Sequence, residues 1–208
     1  VQTCALPIWY KEFLYGFYPA CLYLHPTAFI IYLVGFLGRG EGMEFGIYGV
    51  SYKEADADVR DCTAFSDTQK MELYNQLLDV DITQAVILST CNRSELYFIY
   101  EKEEQLDQIR KLFLAAAGKA VPLFLKTGVT AACYLFEVAA GYHSMVLGED
   151  QILGQVQSCY QMANQCQACG KQLHRMFQSC FAAVKQLKTA YKISEHPISI
   201  AYLAVKNI

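Results

Sequence analysis

A single thiol stands where a chain would hold a reactive sulfur. The apolar run Ala85, Val86, Ile87, Leu88 ends at the hydroxyls of Ser89 and Thr90, and Cys91 follows. Asn92, Arg93 and Glu95 then place an amide, a guanidinium and a carboxylate within four positions of that thiol. A second apolar run begins at Leu96 and continues through Tyr97, Phe98, Ile99 and Tyr100. A structural cysteine belongs inside such a run rather than between two of them. The nucleophilic form is the thiolate, and a nearby positive charge favours it. Arg93 is two residues on, and in an extended strand residues i and i+2 share a face. It can lower the thiol pKa, fork onto a carboxylate of a ligand, or pair with Glu95 on its own strand face. The alternative for Cys91 is a buried, inert sulfur.

A second polar concentration lies at residues 142–154. Ser144, Glu149, Asp150 and Gln151 are set between Gly141, Gly148 and Gly154, with Gln155 just beyond. Two glycines amid packed polar groups suggest a binding loop that runs into a helix. Taken singly, each residue has a plainer reading: Thr90 a strand end, Asn92 and Ser144 turn formers, Glu149, Asp150 and Gln151 a solvated helix start, Gln155 an exposed helix residue.

The elements that must position these groups are readable from periodicity. Residues 43–50 read as a short strand ending at Gly49. Ser66 is a candidate N-cap, and Met71, Leu73, Leu77 and Leu78 give residues 67–78 an apolar helical face. Residues 85–89 and 95–100 are strands flanking the thiol loop. Residues 103–118 read as a helix with Leu106, Ile109, Leu112 and Phe113 on one face and Gly118 as its stop. Helices follow at 130–140, closed by Gly141, at 155–168, stopped by Gly170, and at 171–191. Pro197 suits the start of another. The layout is α+β: a small mixed sheet with flanking helices, then a helical half leading into a long spine-type helix.

The chain has 208 residues, 54% of them hydrophobic and 18% charged, so it can bury a core and is not of disordered type. Its formal net charge is -3, which argues against a generic nucleic-acid coat. A local basic patch from Arg175, Lys185, Lys188 and Lys192 stays open. Nine cysteines, an odd number, in a chain without a legible signal peptide point to a reducing, cytoplasmic setting. Cys166 and Cys169 form a C-x-x-C without a second ligand pair nearby, so no metal is expected.

Residues 13–38 carry no Lys, Arg, Asp or Glu. The length suits a membrane span, but Pro19, Pro26 and three glycines interrupt it, so no membrane association is expected. Residues 1–42 are taken as upstream-translated sequence preceding Met43, with a sequencing scar at residues 1–8.

At Ser89, Thr90, Cys91, Asn92, Arg93, Ser94, Glu95, Leu96 and Tyr97, combined with the ordered run from Ser144 to Val156, the sequence resembles the glutamyl-tRNA reductases. Ala139, Ala140, Gly141 and the segment from Pro197 to Tyr202 match as well. The likeness runs from Met43 to the C-terminus. It implies an N-terminal catalytic domain at residues 43–195 and the start of a connecting helix at 196–208. It also implies a reaction that opens tetrapyrrole synthesis. Cys91 attacks the ester joining glutamate to tRNA, a thioester forms, and NADPH reduces it to glutamate-1-semialdehyde. Carried over by motif, Cys91 is catalytic, and Thr90, Asn92, Arg93, Ser144, Glu149, Asp150, Gln151 and Gln155 bind substrate. Arg93 is then assigned to the substrate γ-carboxylate, with the Glu95 pairing as the alternative. Glutamyl-tRNA, a second copy of the chain and a downstream aminomutase are the implied partners.

Two departures stand out. The family usually carries histidine where this chain has Tyr134, and a phenol is a poor base at neutral pH. His143 is expected to point elsewhere if residues 130–140 are helical, and His174 to be an ordinary surface or core side chain. The family's early Asn-His-Lys-Thr-Ala-Pro segment is here Ser51, Tyr52, Lys53, Glu54, Ala55, Asp56. A divergent, slow member is expected. No G-x-G-x-x-G follows a strand, so the nucleotide-binding and dimerisation domains are taken as absent, and the chain is expected to form the thioester and hydrolyse it slowly. The alternative is a tRNA- or partner-binding module without chemistry.

Overall fold

The hairpin that carries the thiol grows from a sheet whose strands all alternate in direction. The computed structural model describes residues 42–53, 55, 62–144 and 151–191. The apolar stretch 13–38, Lys192, Pro197 and the connecting-helix residues 196–208 lie outside them, as do Glu149 and Asp150. The elements run β1 (Glu44–Ser51), α1 (Asp67–Leu78), β2 (Ala85–Ser89), β3 (Arg93–Tyr100), α2 (Glu103–Ala117), β4 (Phe124–Thr127), α3 (Gly128–Ala139), α4 (Gln151–Gln165) and α5 (Lys171–Tyr191).

The sheet order is β2-β3-β1-β4, with antiparallel pairing throughout. The expected fold class, α+β, is the observed one, but the sheet is antiparallel rather than mixed. The cause is connectivity. The first six elements are β-α-β-β-α-β, and each helical crossover returns the chain beyond a neighbour that runs the opposite way. Residues alternate across β3. Glu95 and Tyr97 face α3 and α5, as the Tyr134 hydroxyl and the Phe177 ring show. Leu96 pairs with Tyr48 of β1, and Tyr48 feels Asp107 and Arg110 of α2 on the opposite face. Helix α4 packs along β2.

Local chemistry explains most boundaries. Ser66 and Gln69 close a reciprocal capping box at α1. Leu73, Tyr74 and Leu77 are its buried face, whereas Met71 and Leu78 stay 46% and 48% exposed, against expectation. Gly118 takes φ 71° to end α2. Strand β4 was not expected from sequence, because four residues between Pro122 and Gly128 carry no readable alternation. Helix α4 starts at Gln151, four residues before its expected start, so Gln151 and Gln155 share one helix face. In α5, Lys188 is buried, while Arg175 and Lys185 are exposed. The suggested basic patch therefore loses one of its four members to the interior. Among the described residues no helix is long and apolar enough to cross a membrane.

The start of α5 is capped from a distance. Gln84 Oε1 accepts from the backbone N–H groups of Gln172 at 3.0 Å and Leu173 at 3.2 Å. Its Nε2 donates to Gln172 Oε1 at 2.6 Å. A Cβ on Gly170 would lie 2.6 Å from Gln84 Cδ, so the glycine makes room for the cap. Replacing Gln84 with Ala removes these bonds and is expected to cost about 1–2 kcal/mol. A urea midpoint lowered accordingly, with unchanged slope, checks this; an unchanged midpoint contradicts it.

Candidate functional site

Ser89 pairs with Ser94, and the Thr90 N–H donates to the Arg93 carbonyl at 2.8 Å. Cys91 and Asn92 therefore form the two-residue tip of the β2–β3 hairpin. Thr90 Oγ1 accepts from the N–H groups of Asn92 and Arg93, each at 3.3 Å, so the tip is tied from within. The Ser89 and Ser94 hydroxyls both donate to the Thr63 carbonyl, and Ser89 Oγ accepts from the Phe65 N–H at 3.0 Å. The backbone either side of the thiol is thus fixed, and Cys91 itself is exposed. The buried alternative for this cysteine does not describe it.

Beneath the tip lies a buried charge pair. Arg93 Nη1 donates to Glu95 Oε1 at 3.0 Å, with side-chain exposures of 2% and 0%. Glu95 also accepts from the Tyr134 hydroxyl at 2.7 Å and from the Tyr97 hydroxyl. Arg93 Nη2 donates to the His143 carbonyl. Burial alone would lower the Arg93 pKa; the Glu95 carboxylate, together with Tyr134 and Tyr97, more than offsets it, and the guanidinium is held charged. Burial, with Glu95 beside it, pushes the Tyr97 phenol well up. Gly49 faces Glu95 in the register, and a Cβ there would lie 2.8 Å from Glu95 Cγ and 2.6 Å from Phe124 Cζ. The pair has its space because β1 carries no side chain at that position.

The alternative raised for Arg93, pairing with Glu95, is the arrangement present. Its Nη1 is engaged by Glu95 and its Nη2 by the His143 carbonyl, which offsets the cost of burying the charge. Tyr134 donates its proton to Glu95, so it serves as a buried donor and not as a base. The expectation for His143 is corrected. Helix α3 ends at Ala139, and the following turn folds back, setting the His143 ring 4.8 Å from that of Tyr134. His143 Nε2 lies 2.7 Å from Glu137 Oε2, and Nδ1 lies 3.1 Å from Lys53 Nζ. His174 is exposed and meets the Tyr160 hydroxyl at 2.7 Å.

On the other side of the tip, Ser89, Thr90, Gln151, Gly154, Gln155, Ser158 and Cys159 line a cavity of about 490 Å³. Thr90, Gln151 and Gln155 are thereby brought together; Ser144, half-buried, lies in the His143 turn. Burial raises the Cys159 thiol pKa, which disfavours its thiolate. Cys166 and Cys169 are free thiols at the α4–α5 turn, and burial pushes Cys169 up to about 11, against a redox role. Among the described residues no group of His, Cys, Asp or Glu is arranged to hold a metal ion. Sequence reasoning missed Gly49, Tyr97, Glu137 and Cys159. The alternation Arg93, Glu95, Tyr97 along one strand face was the available signal for Tyr97.

Comparison with known proteins bears on this geometry. Residues 48–191 match the family model described as glutamyl-tRNAGlu reductase, N-terminal domain. A glutamyl-tRNA reductase of Clostridium novyi is 33% identical over 168 residues, covering 79% of this chain and 41% of that protein. One from Pseudomonas fluorescens is 38% identical over 169 residues, covering 78% and 40%. The solved glutamyl-tRNA reductase from Methanopyrus kandleri superposes with a TM-score of 0.66 at 26% identity, covering 78% of this chain and 38% of that one. The chain spans about two fifths of the length of the relatives it matches.

Two consequences are measurable. Glu95→Ala leaves Arg93 charged and buried without its partner and is expected to cost about 3–5 kcal/mol; a denaturant midpoint within error of the parent contradicts the pairing. The folded chain also holds protons on buried Tyr97, Cys159 and Cys180 and on half-buried Cys169 above their unfolded pKa values. Their contribution is complete below roughly pH 8.5 and is lost as pH rises through the folded values. Stability measured by urea titration should fall steadily from about pH 9 upward, and a flat profile to about pH 11 would refute this.

Proposed function

The chain belongs to the glutamyl-tRNA reductase family, whose N-terminal domain it carries, and on that premise we propose that Cys91 takes the glutamyl group from glutamyl-tRNA as a thioester. The observation that supports this best is the exposed thiol on a hairpin tip fixed by Thr90, Ser89 and Ser94, between a buried ion pair and a polar-rimmed cavity. The thiolate sulfur adds to the ester carbonyl carbon. The tetrahedral adduct collapses, the C–O bond to the tRNA 3′ end breaks, and the departing oxygen takes up a proton. An aminoacyl ester is already activated, so modest activation of the thiol suffices.

Each group has a stated part in this reading. Thr90, Asn92, Ser144, Gln151 and Gln155 supply hydrogen bonds to the glutamyl moiety; Glu149 and Asp150 are assigned to the same pocket through their motif. Arg93 contributes from below, where its pair with Glu95 fixes the start of β3. In the whole reductase NADPH would reduce the thioester to glutamate-1-semialdehyde. The described residues do not fit that cofactor: Gly46 and Gly49 are packed by the Phe98 and Phe124 rings and leave no cradle for a pyrophosphate. No reduction step is derived from them. A homodimer, hand-over to a downstream aminomutase and a cytoplasmic setting rest on the family resemblance.

Tyr134 favours a second reading, a tRNA- or partner-binding module without chemistry, because a phenol bound to Glu95 handles no proton. Mixing the chain with glutamyl-tRNA, quenching in acid and mapping peptides by mass separates the two. Acyl transfer predicts a hydroxylamine-labile glutamyl adduct on the Cys91 peptide, absent in Cys91→Ser. Tight tRNA binding with no adduct on the folded chain would leave the module reading standing.

A further inference from the structure

Charge is sorted between the two sides of the sheet. Residues 151–191, which form α4, α5 and the turn between them, contain no Asp or Glu. Their cations are Lys171, Arg175, Lys185 and Lys188, all on α5. Glu137, the acid of the neighbouring α3, is taken up by His143 at 2.7 Å. On the opposite side α1 and α2 pack together and expose Asp67, Glu72, Glu103, Glu104 and Asp107. Acids outnumber bases on both of those helices.

Helix α5 divides its own cations. Lys188 is buried, whereas Lys171, Arg175 and Lys185 are exposed. Residues 171, 174, 175, 178, 182 and 185 are all exposed and recur at helical spacing, so the three cations share one solvent face. Lys171 and Lys185 are about 21 Å apart along the helix axis. Among the described residues no carboxylate forms an ion pair with any of the three.

The stripe also has a direction. Helix α5 starts at Gln84, just before β2, at the end of the sheet remote from the hairpin tip. Phe177 then meets Tyr97 at 5.5 Å. Further on, Cys180 Sγ donates to the Leu135 carbonyl at 3.9 Å, one residue after Tyr134, whose hydroxyl reaches Glu95. The helix therefore advances towards the end of the sheet that carries Cys91.

Resting on the reading of glutamyl-tRNA as the donor to Cys91, we infer that the exposed face of α5 receives the phosphate backbone of the RNA. Lysine and arginine heads that neutralise phosphates release condensed counterions, which drives binding without regard to base sequence. The acidic α1–α2 side repels the same polyanion, so the RNA meets the chain in one orientation. A net charge of -3 excludes a coat on every side and leaves docking on one face.

The test measures binding of deacylated glutamate tRNA to the full chain by fluorescence anisotropy, from about 0.05 to about 0.3 M salt. The combined variant Lys171→Gln, Arg175→Gln, Lys185→Gln is compared with the parent and with Arg110→Gln, Lys111→Gln on α2. The stripe variant is expected to bind about tenfold more weakly or worse near 0.1 M salt, with a log–log salt slope smaller by roughly two to three. The α2 variant keeps the parent affinity and slope. Lys171→Gln and Lys185→Gln made singly should each reduce the slope by about one, which covers a combined variant that does not fold. Equal binding by parent and stripe variants overturns the proposal, as does an equal loss in the α2 variant. Binding to vesicles of anionic phospholipid without binding to tRNA overturns it too. Deacylated tRNA has no ester to attack. Stripe-dependent affinity without a glutamyl adduct keeps this surface and rejects acyl transfer, and an adduct with stripe-independent affinity does the reverse.

Discussion

Arg93 and Glu95 form the interaction on which the site depends. Two opposite charges on successive positions of one strand face are buried together, and each needs the other. The pair is completed by the Tyr134 and Tyr97 hydroxyls and by the His143 carbonyl. Strand β3, helix α3 and the turn after α3 thereby share one polar knot within an otherwise apolar layer. A buried charge tolerates little displacement, so the hairpin that starts at Arg93 is held in one place. The thiol sits two residues before that anchor, in solvent yet on fixed backbone.

Space for the knot comes from absences as much as from contacts. Gly49 leaves room for Glu95 and for the Phe124 ring. That ring meets Tyr134 edge-on at 5.3 Å, so the β4 edge strand is tied to the same phenol. Tyr97 continues from the charge pair into the core, where it meets Phe177 of α5. There Tyr160 stacks on Phe177, and Phe181 meets Phe177 edge-on. The polar centre and the aromatic core are one continuous packing, and α5, capped by Gln84, closes it.

Much of this was legible in the sequence, and the failures have physical causes. The thiol between two strands, the Ser66 cap, the Gly118 stop and the bounds of α5 follow from local chemistry. The Arg93–Glu95 pairing could not be decided from the sequence, which shows charge but not burial; only the sheet and α3 together reveal that Glu95 is its partner. His143 was misplaced because its position depends on a turn after α3, not on helical phase. Strand β4 is too short to carry a period, and antiparallel pairing depends on connectivity rather than on any strand's composition.

The account stands on a covalent step at the hairpin tip, and the most direct measurement is rapid-quench release of tRNA from labelled glutamyl-tRNA. A thioester at Cys91 predicts a burst of deacylated tRNA equal to one equivalent per folded chain, matched in time by the loss of one reactive thiol. Slow linear release without a burst, with the Cys91 thiol still titratable, would contradict it.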